Sequence, residues 1–503
     1  MNITIDKKSK TPIYVQIVNQ IKGEIKRGEI NYGATLPSER ALSKILNVHR
    51  NTIIRAYNEL KAEEYVESQQ GIGYSVSFGA GRMNETSGVA SLGEASVKRT
   101  SHYPKKVNWT YEIKDEFLDR EKAYDNLFQR YSDESKYALS SGFSMPSVYR
   151  KSVIAEDIAR IIAYGGKTQY FYSPYKGDET LRQQIVSFLS TKGIKATTGE
   201  IQVVTETNQA IDFIANLLVN PGDAVILPEP VSPDTYRTLM LSGAKIYTVP
   251  VNEEGMDIRA LGRLMESVDP KAVFIDSSFH DPTTSCIPNS HRNEIVELSN
   301  RYRVPVVETD AASELVYEGE DITPIKALDT MNNVIYVYSF SLTFTPGLSL
   351  AFIVADKEVI KSLSYIVSVR FVATDWMTQK LMAKYLEDGT YYRNNEIFRD
   401  NYKEKRDLVC GYLDRLRKYG VEYTKPRGGV YIWCRLPEGT DCKEFVGRAF
   451  ARDLLLIPGY IFYPFKNGGR EYVRINYSFE KKEKISSGME IFGELIRERS
   501  SGT

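Results

Sequence analysis

The fold of this chain is decided by residues 339–350, which read Ser-Phe-Ser-Leu-Thr-Phe-Thr-Pro-Gly-Leu-Ser-Leu. An apolar run at residues 334–338 precedes them and is typical of a strand that is buried on both faces. Around this stretch, from about residue 113 to the end of the chain, runs of strand length alternate with helical patterns. Such alternation predicts an α/β fold with a mostly parallel sheet.

The composition is that of a large protein without a net charge. Its 503 residues are enough for two or three domains. Lys and Arg together number 65, as do Asp and Glu, so any basic surface for nucleic acid must be local. No apolar run approaches the roughly 20 residues of a membrane span, and the N-terminus lacks the apolar core of a secretory signal. We therefore expect a cytoplasmic protein without a membrane partner. The four cysteines and four histidines are scattered, so no metal site is expected.

Residues 1–77 carry the pattern of a winged helix-turn-helix. Apolar side chains at helical spacing predict an amphipathic helix over residues 11–27. Ser38 is a favourable N-cap for a short second helix, and a longer helix begins near His49. Two short strands around a glycine-containing turn, at residues 65–76, complete the order.

This segment resembles the DNA-binding domain of GntR-family regulators in four motifs. They are Leu-Pro-Ser-x-Arg from Leu36, Asn-Val-x-Arg-Asn-Thr from Asn47, Ala-Tyr-x-x-Leu from Ala56 and Gly-x-Gly from Gly71. The resemblance implies a double-stranded DNA operator as the partner. It also places the first turn of the longer helix in the major groove, where Arg reads guanine and Asn reads adenine.

The resemblance implies a set of DNA-contacting residues on the second helix, the longer helix and the wing: Ser38, Arg40, His49, Arg50, Asn51, Thr52, Arg55, Gly71 and Gly73. His49 stands where the family usually has Ser. Each residue taken alone could instead solvate a helix face or turn a hairpin. The ordered set as a whole favours DNA binding.

A flexible linker is predicted at residues 78–112, where small and polar residues dominate without an apolar period. It separates the DNA-binding segment, residues 1–77, from a second domain at residues 113–503.

The second domain resembles the fold-type I pyridoxal-phosphate (PLP) aminotransferases, in the form found in MocR-type regulators. In the family, the stretch that corresponds to residues 339–350 reads Ser-Phe-Ser-Lys-Thr-Leu-x-Pro-Gly-Leu-Arg-Leu. The resemblance implies a large subdomain to about residue 385 and a small C-terminal subdomain over about residues 386–503.

The positions that carry the family's chemistry are replaced in this chain. The Schiff-base lysine falls on Leu342, and a leucine cannot form an imine. Glu206 replaces the glycine of the phosphate-binding turn, which sets a carboxylate beside a would-be dianion at a cost on the order of several kcal/mol. The other replacements are Ser349 for an arginine, Thr309 for the aspartate at the pyridine nitrogen, Ala311 for the tyrosine at the ring hydroxyl and Ser232 for the ring-stacking tyrosine.

Asp310 cannot take over from the lost aspartate, because a shift of one residue along a strand reverses the face to which the side chain points. We expect no Schiff base, no cofactor and no enzymatic activity, with Leu342 and Phe344 partly filling the pocket.

Arg474 matches the arginine that grips a substrate carboxylate in the family, and such a guanidinium clamp does not need PLP. With Asp281 it forms the candidate site for a small carboxylate or amino-acid effector. The alternative is that Arg474 pairs with an internal acid, such as Asp310, Glu206 or Asp281.

The sequence thus predicts a homodimeric, sequence-specific DNA-binding transcription regulator whose aminotransferase-like domain is catalytically inactive. That domain would serve dimerisation and could sense an effector. The alternatives are a PLP-dependent enzyme, or a PLP-binding sensor, joined to a DNA-binding domain.

Overall fold

The structure is a computed structural model, and it describes residues 3–6, 9, 11–26, 29–30, 34–63, 65–69, 73–77, 136–142, 149–166, 171–319, 321–370, 374–465 and 467–501. Two compact units divide the chain, Met1–Val107 and Asn108–Thr503. The linker predicted at residues 78–112 lies outside the described residues. Where the chain is described, no helix combines the length and the apolar character that crossing a membrane requires.

The first unit contains a three-helix core followed by a β-hairpin. Its elements are α1 Ile13–Lys26, α2 Glu39–Leu46, α3 Arg50–Ala62, β1 Val66–Gln69 and β2 Gly73–Val76. Ile17 and Ile21 of α1 are fully buried, as is Tyr57 of α3, because the apolar faces of these helices meet in one core. The Tyr57 hydroxyl donates to the carbonyl of Pro37 at 2.7 Å, which ties α3 to the start of α2. The predicted helix order and hairpin are confirmed.

The second unit is built on an eight-stranded sheet in the order β4-β11-β10-β9-β8-β5-β6-β7. The strands of the unit are β3 Tyr137–Ala138, β4 Ile201–Val204, β5 Ala224–Glu229, β6 Lys245–Asn252, β7 Gly255–Met256, β8 Ala272–Asp276, β9 Val306–Asp310, β10 Val334–Ser339, β11 Ala351–Val354, β12 Glu422–Tyr423, β13 Tyr431–Arg435, β14 Leu454–Leu455, β15 Ile457–Pro458 and β16 Tyr472–Asn476. Strands β6, β5, β8, β9 and β10 run parallel, while β11 pairs antiparallel with both β10 and β4.

Helices account for most of the remaining described residues of this unit. They are α4 Lys151–Tyr164, α5 Glu179–Thr191, α6 Thr207–Leu218, α7 Pro233–Leu241, α8 Ile258–Val268, α9 Asn289–Tyr302, α10 Ile325–Leu328, α11 Lys357–Arg370, α12 Trp376–Glu387, α13 Thr390–Leu416, α14 Cys442–Phe450 and α15 Lys482–Ser501. A separate four-stranded sheet, β12-β13-β16-β15, forms the small subdomain with the C-terminal helices.

Strand β10 is buried along its whole length. Its tyrosines Tyr336 and Tyr338 enter one apolar cluster, while Ile335 and Val337 enter another on the opposite face. The apolar run of the sequence therefore corresponds to a strand covered on both faces.

The stretch at residues 339–350 forms the return from β10 to β11. The backbone N–H of Phe340 donates to the carbonyl of Leu350 at 3.0 Å and closes this return. Strands β8, β9 and β10 end at Asp276, Asp310 and Ser339, so the return lies at the carboxyl edge of the parallel strands. This edge is where α/β sheets place their ligand clefts.

A buried charge, Glu308 of β9, is paired inside the sheet. Its carboxylate lies 3.6 Å from the guanidinium of Arg292 and accepts from the Ser277 hydroxyl at 2.6 Å. The backbone N–H groups of Ile325 and Lys326 donate to it, each at 2.9 Å. These bonds compensate for the removal of both charges from water.

We predict that Arg292→Met strongly destabilises the second unit, because Glu308 would stay buried without its cation. The expected loss is about 3–5 kcal/mol in the free energy of unfolding, measured by calorimetry and chemical denaturation. Arg263→Gln, which changes an exposed arginine on α8, is the matched control. An unchanged transition in Arg292→Met would show that this pair does not hold the sheet.

Candidate functional site

The first turn of α3 presents polar side chains to solvent. His49 caps the helix, with its Nδ1 accepting from the backbone N–H of Asn51 at 3.3 Å. Arg50 and Asn51 are exposed. The Arg50 guanidinium donates to the Glu39 carboxylate of α2, from Nη2 at 2.7 Å and from Nε at 3.2 Å. This bond links the two helices of the helix-turn-helix at their solvent side.

The other predicted DNA-binding residues differ in their surroundings. Ser38 caps α2 by accepting from the backbone N–H of Ala41 at 3.2 Å, and Arg40 beside it is exposed. Thr52 is half-buried. The Arg55 guanidinium stacks 3.8 Å over the ring of Tyr14, so Arg55 contributes to the packing of α3 on α1.

Of the two predicted wing glycines, Gly73 begins β2 with a φ of +103°, a conformation that favours glycine. Gly71 lies outside the described residues.

In the second unit, a cavity of about 660 Å³ opens at the carboxyl edge of the sheet. We call it the ancestral cavity, because positions of the aminotransferase pattern line it. Six positions at which the sequence departs from the aminotransferase pattern all line it: Glu206, Ser232, Thr309, Ala311, Leu342 and Ser349. The fold therefore brings together replacements that are far apart in the sequence.

Leu342 borders the ancestral cavity and is 8% exposed. Phe344 is not among the lining residues and packs against Tyr149 and Tyr385 at ring distances of 5.0 and 6.0 Å. The expectation that Phe344 fills the pocket was wrong, because two residues further along the return its side chain enters the aromatic core. Asp310 is not a lining residue either, since its carboxylate accepts from the Tyr336 hydroxyl at 2.7 Å.

Glu206 supplies an internal anion at the start of α6. It is the N-cap of this helix, and its carboxylate accepts from the Ser341 hydroxyl at 2.9 Å and the Ser339 hydroxyl at 3.3 Å. The backbone N–H of Thr207 donates to it at 3.4 Å. Helix N-termini and hydroxyls are the groups that bind phosphates, and here they hold a carboxylate of the chain itself.

Arg474 forms an ion pair with Asp281. One guanidinium nitrogen, Nη1, lies 2.7 and 2.9 Å from the two carboxylate oxygens of Asp281. The guanidinium also lies 4.2 Å over the ring of Tyr431, and Arg474 is only 3% exposed. Asp281 lines the ancestral cavity whereas Arg474 does not. The structure thus shows the internal pairing, one of the two alternatives that the sequence left open.

The cavity also contains functional groups that sequence reasoning missed, among them Asp276 and Asp234. Burial raises the pKa of Asp276 well above its usual value, although the backbone N–H of Asp281 donates to its carboxylate at 3.2 Å. The signal that could have identified Asp276 as a cavity residue is strand register, because Asp276 lies directly opposite Thr309 of β9. The described lining residues of the cavity include four acids and no Lys, Arg or His. The acids are Glu206, Asp234, Asp276 and Asp281.

The eight-stranded sheet, its small subdomain and the cavity at its carboxyl edge define a protein of the aminotransferase fold. The aminotransferase class I and II family matches residues 142–490, and the bacterial regulatory proteins of the gntR family match residues 13–76. The chain belongs to the aminotransferase class I and II family and carries a GntR-type helix-turn-helix domain in front of it, the layout of MocR-type fusions.

Similar proteins share either the whole layout or only the second part. The HTH-type transcriptional regulator YdfD of Bacillus subtilis is 26% identical over 98% of this chain and 98% of its own length. The 2-aminoadipate transaminase of Thermus thermophilus is 29% identical over 72% of this chain and 90% of its own length. The structure of the α-aminoadipate aminotransferase LysN from Thermus thermophilus, complexed with N-(5′-phosphopyridoxyl)-L-leucine, has a TM-score of 0.73 at 26% identity. It covers 79% of this chain and 100% of its own.

We predict that Asn51→Ala weakens binding to DNA selected from a random pool by the native protein. Loss of one base contact should cost about 1–3 kcal/mol and relax specificity at one position. The measurement is fluorescence anisotropy at fixed salt, with Arg263→Gln in the second unit as the control variant. Equal affinity and equal base preference in Asn51→Ala would remove the first turn of α3 from the DNA interface.

Proposed function

We propose that this protein is a sequence-specific DNA-binding transcription regulator whose aminotransferase-like domain is catalytically inactive. The observation that carries the proposal is the coexistence of two features. The first turn of α3 offers exposed Arg50 and Asn51, whereas the ancestral cavity has Leu342 at the imine position and Glu206 at the phosphate position.

The inactivity follows from the chemistry of these side chains. Imine formation needs an amine nucleophile, and Leu342 has none. Binding of PLP without an imine would depend on its phosphate, but the Glu206 carboxylate already accepts the hydroxyl bonds of Ser339 and Ser341. Thr309 stands where the family has the aspartate that pairs with the pyridine nitrogen of PLP, and its side chain offers that nitrogen no charge. Three independent contributions to cofactor binding are therefore missing.

Dimerisation is part of the proposal. A single winged helix-turn-helix makes a small DNA interface, and two copies reading two half-sites raise affinity and specificity. We propose that the aminotransferase-like domain of one copy binds that of a second copy and so brings two DNA-binding domains together. An effector could then regulate by binding one arrangement of the dimer better than another.

The proposal also includes an effector whose carboxylate binds Arg474. The geometry of the ion pair determines what such a ligand must displace. The ligand carboxylate must replace Asp281 on the guanidinium, because Nη1 is already held at 2.7 Å by Asp281. The ion pair therefore competes with the effector.

The alternative functions, a PLP-dependent enzyme and a non-covalent PLP sensor, both need cofactor binding. The protein as purified should show no absorbance band at about 400–430 nm, because Leu342 offers no amine for an imine in the ancestral cavity. Dialysis should remove all added PLP. A band that borohydride abolishes would contradict the proposal, and retained PLP without such a band would favour the sensor.

Glu206→Gly provides a positive test of the same argument. Removing the carboxylate frees the helix N-terminus and two serine hydroxyls for a phosphate, so this variant should gain measurable non-covalent affinity for PLP or inorganic phosphate. Glu200→Gly, at a different acidic position ahead of β4, is the control. No gain in Glu206→Gly would show that this carboxylate is not what keeps the phosphate out.

For the effector, we predict that Asp281→Asn binds small carboxylates and amino acids more tightly than the native protein does, because Arg474 loses its competing anion. A buried charge-assisted bond of this kind corresponds to about 1.5–3 kcal/mol. Calorimetric titration measures it, and Arg474→Gln should abolish binding in both backgrounds. The absence of binding in native protein and Asp281→Asn alike would exclude an effector held by Arg474.

A further inference from the structure

A second cavity, of about 590 Å³, lies where the small subdomain meets the large one. Residues 283–286, which follow β8, form part of its wall on the large subdomain, and strands β12, β13 and β16 supply the opposite wall. It shares no lining residue with the ancestral cavity. Its volume is within the range of small-molecule sites, about 300–1,000 Å³.

One wall of the second cavity is aromatic. The rings of Trp433 and Tyr472 stack with their centroids 5.0 Å apart and their planes within 4°. Phe462 meets Trp433 edge-on at 5.5 Å and holds it in place from outside the cavity. Tyr463 also lines the cavity. A flat aromatic ligand can pack against such a wall in an offset stack or edge-to-face.

The charges of the second cavity have the opposite balance to those of the ancestral one. Its described lining includes four cations, Arg417, Lys425, Arg427 and Arg435, against two acids, Glu253 and Glu422. Three of the cations already have partners: Arg417 pairs with Asp414 at 2.9 Å, Lys425 with Asp407 at 2.9 Å and Arg435 with Glu422 at 3.1 Å.

Arg427 is the remaining lining cation. It is exposed, and among the described residues no acid pairs with it within 4.0 Å. A guanidinium in this state can donate two parallel bonds to a carboxylate without first breaking an ion pair. This distinguishes Arg427 from Arg474, whose ion pair a ligand would have to displace.

We propose that the second cavity is a binding site for a small aromatic carboxylate. The ring of the ligand packs on the wall formed by Trp433 and Tyr472, and its carboxylate binds Arg427. The hydroxyls of Thr283 and Ser285 line the opposite side and bond to each other at 2.8 Å, so the proposal assigns them no contact with the ligand. A neutral or cationic ring would lack the bond to Arg427, and an aliphatic acid would lack the stacking.

The position of the second cavity gives such a ligand contacts with both subdomains. Pro230 and Thr283 belong to the large subdomain, and Trp433 to the small one. Neighbouring residues of the same two turns, Ser232 and Asp281, line the ancestral cavity. A ligand in the second cavity would therefore favour one relative arrangement of the subdomains. The binding proposal itself does not depend on DNA binding or on transcription regulation.

The test is a titration of the full-length protein with 2-naphthoate, followed by calorimetry and by tryptophan fluorescence. The comparison ligands are 2-naphthamide, which keeps the ring without the charge, and cyclohexanecarboxylate, which keeps the charge without the aromatic ring. We expect saturable binding of 2-naphthoate and at least about tenfold weaker binding of both comparison ligands. A charge-assisted bond and aromatic packing can each change the affinity by about that factor.

Three variants locate the site. Arg427→Gln, an exposed substitution that leaves the core intact, should weaken 2-naphthoate binding by about tenfold or more. Trp433→Leu should do the same and remove the fluorescence response. Arg263→Gln should bind like the native protein. Melting curves of all variants show whether each one is folded.

Three results would overturn the proposal. The first is the absence of 2-naphthoate binding to the native protein at millimolar concentration. The second is equal affinity for the acid and the amide. The third is binding that Arg427→Gln leaves unchanged, since the ligand would then bind elsewhere on the protein.

Discussion

Strand β10 is covered by apolar side chains on both faces, and the rest of the second unit is arranged around it. Its two sets of side chains, alternating along the strand, enter separate apolar clusters on opposite sides of the sheet. This packing determines where β10 ends and therefore where residues 339–350 turn back towards β11. None of these contacts requires a lysine at position 342. The fold therefore does not depend on the residue type at this position, because fold and function depend on different residues.

The lining of the ancestral cavity includes four acids and, among the described residues, no Lys, Arg or His. The carboxylate of Glu206 takes the position suited to a phosphate, Asp276 and Asp234 add further acidic groups, and Asp281 neutralises Arg474. Arg427, which has no acidic partner among the described residues, lines the second cavity instead. The two cavities consequently differ in the ligands they can accept.

Much of this arrangement could be predicted from local sequence patterns. Apolar periodicity and the N-cap Ser38 predicted the helix-turn-helix. Strand alternation predicted that the Asp310 side chain points away from the cavity. The six replaced positions were found because each belongs to a short motif. What could not be predicted depends on side-chain partners that are far apart in the chain. The sequence left three acids as possible partners of Arg474, and only tertiary packing distinguishes Asp281.

The second cavity was missed for the same reason, since Trp433 and Thr283 are about 150 residues apart in sequence and no motif joins them. Phe344 was placed wrongly because an apolar residue near a site can face either the cavity or the core.

The central claim is that DNA recognition persists in a protein whose cofactor chemistry has been removed. The most direct measurement is the affinity of the dialysed protein for its selected DNA with and without added PLP, at one salt concentration. We predict the same dissociation constant in both conditions, with tight binding that Asn51→Ala weakens. A saturable change in affinity on addition of PLP would contradict the claim.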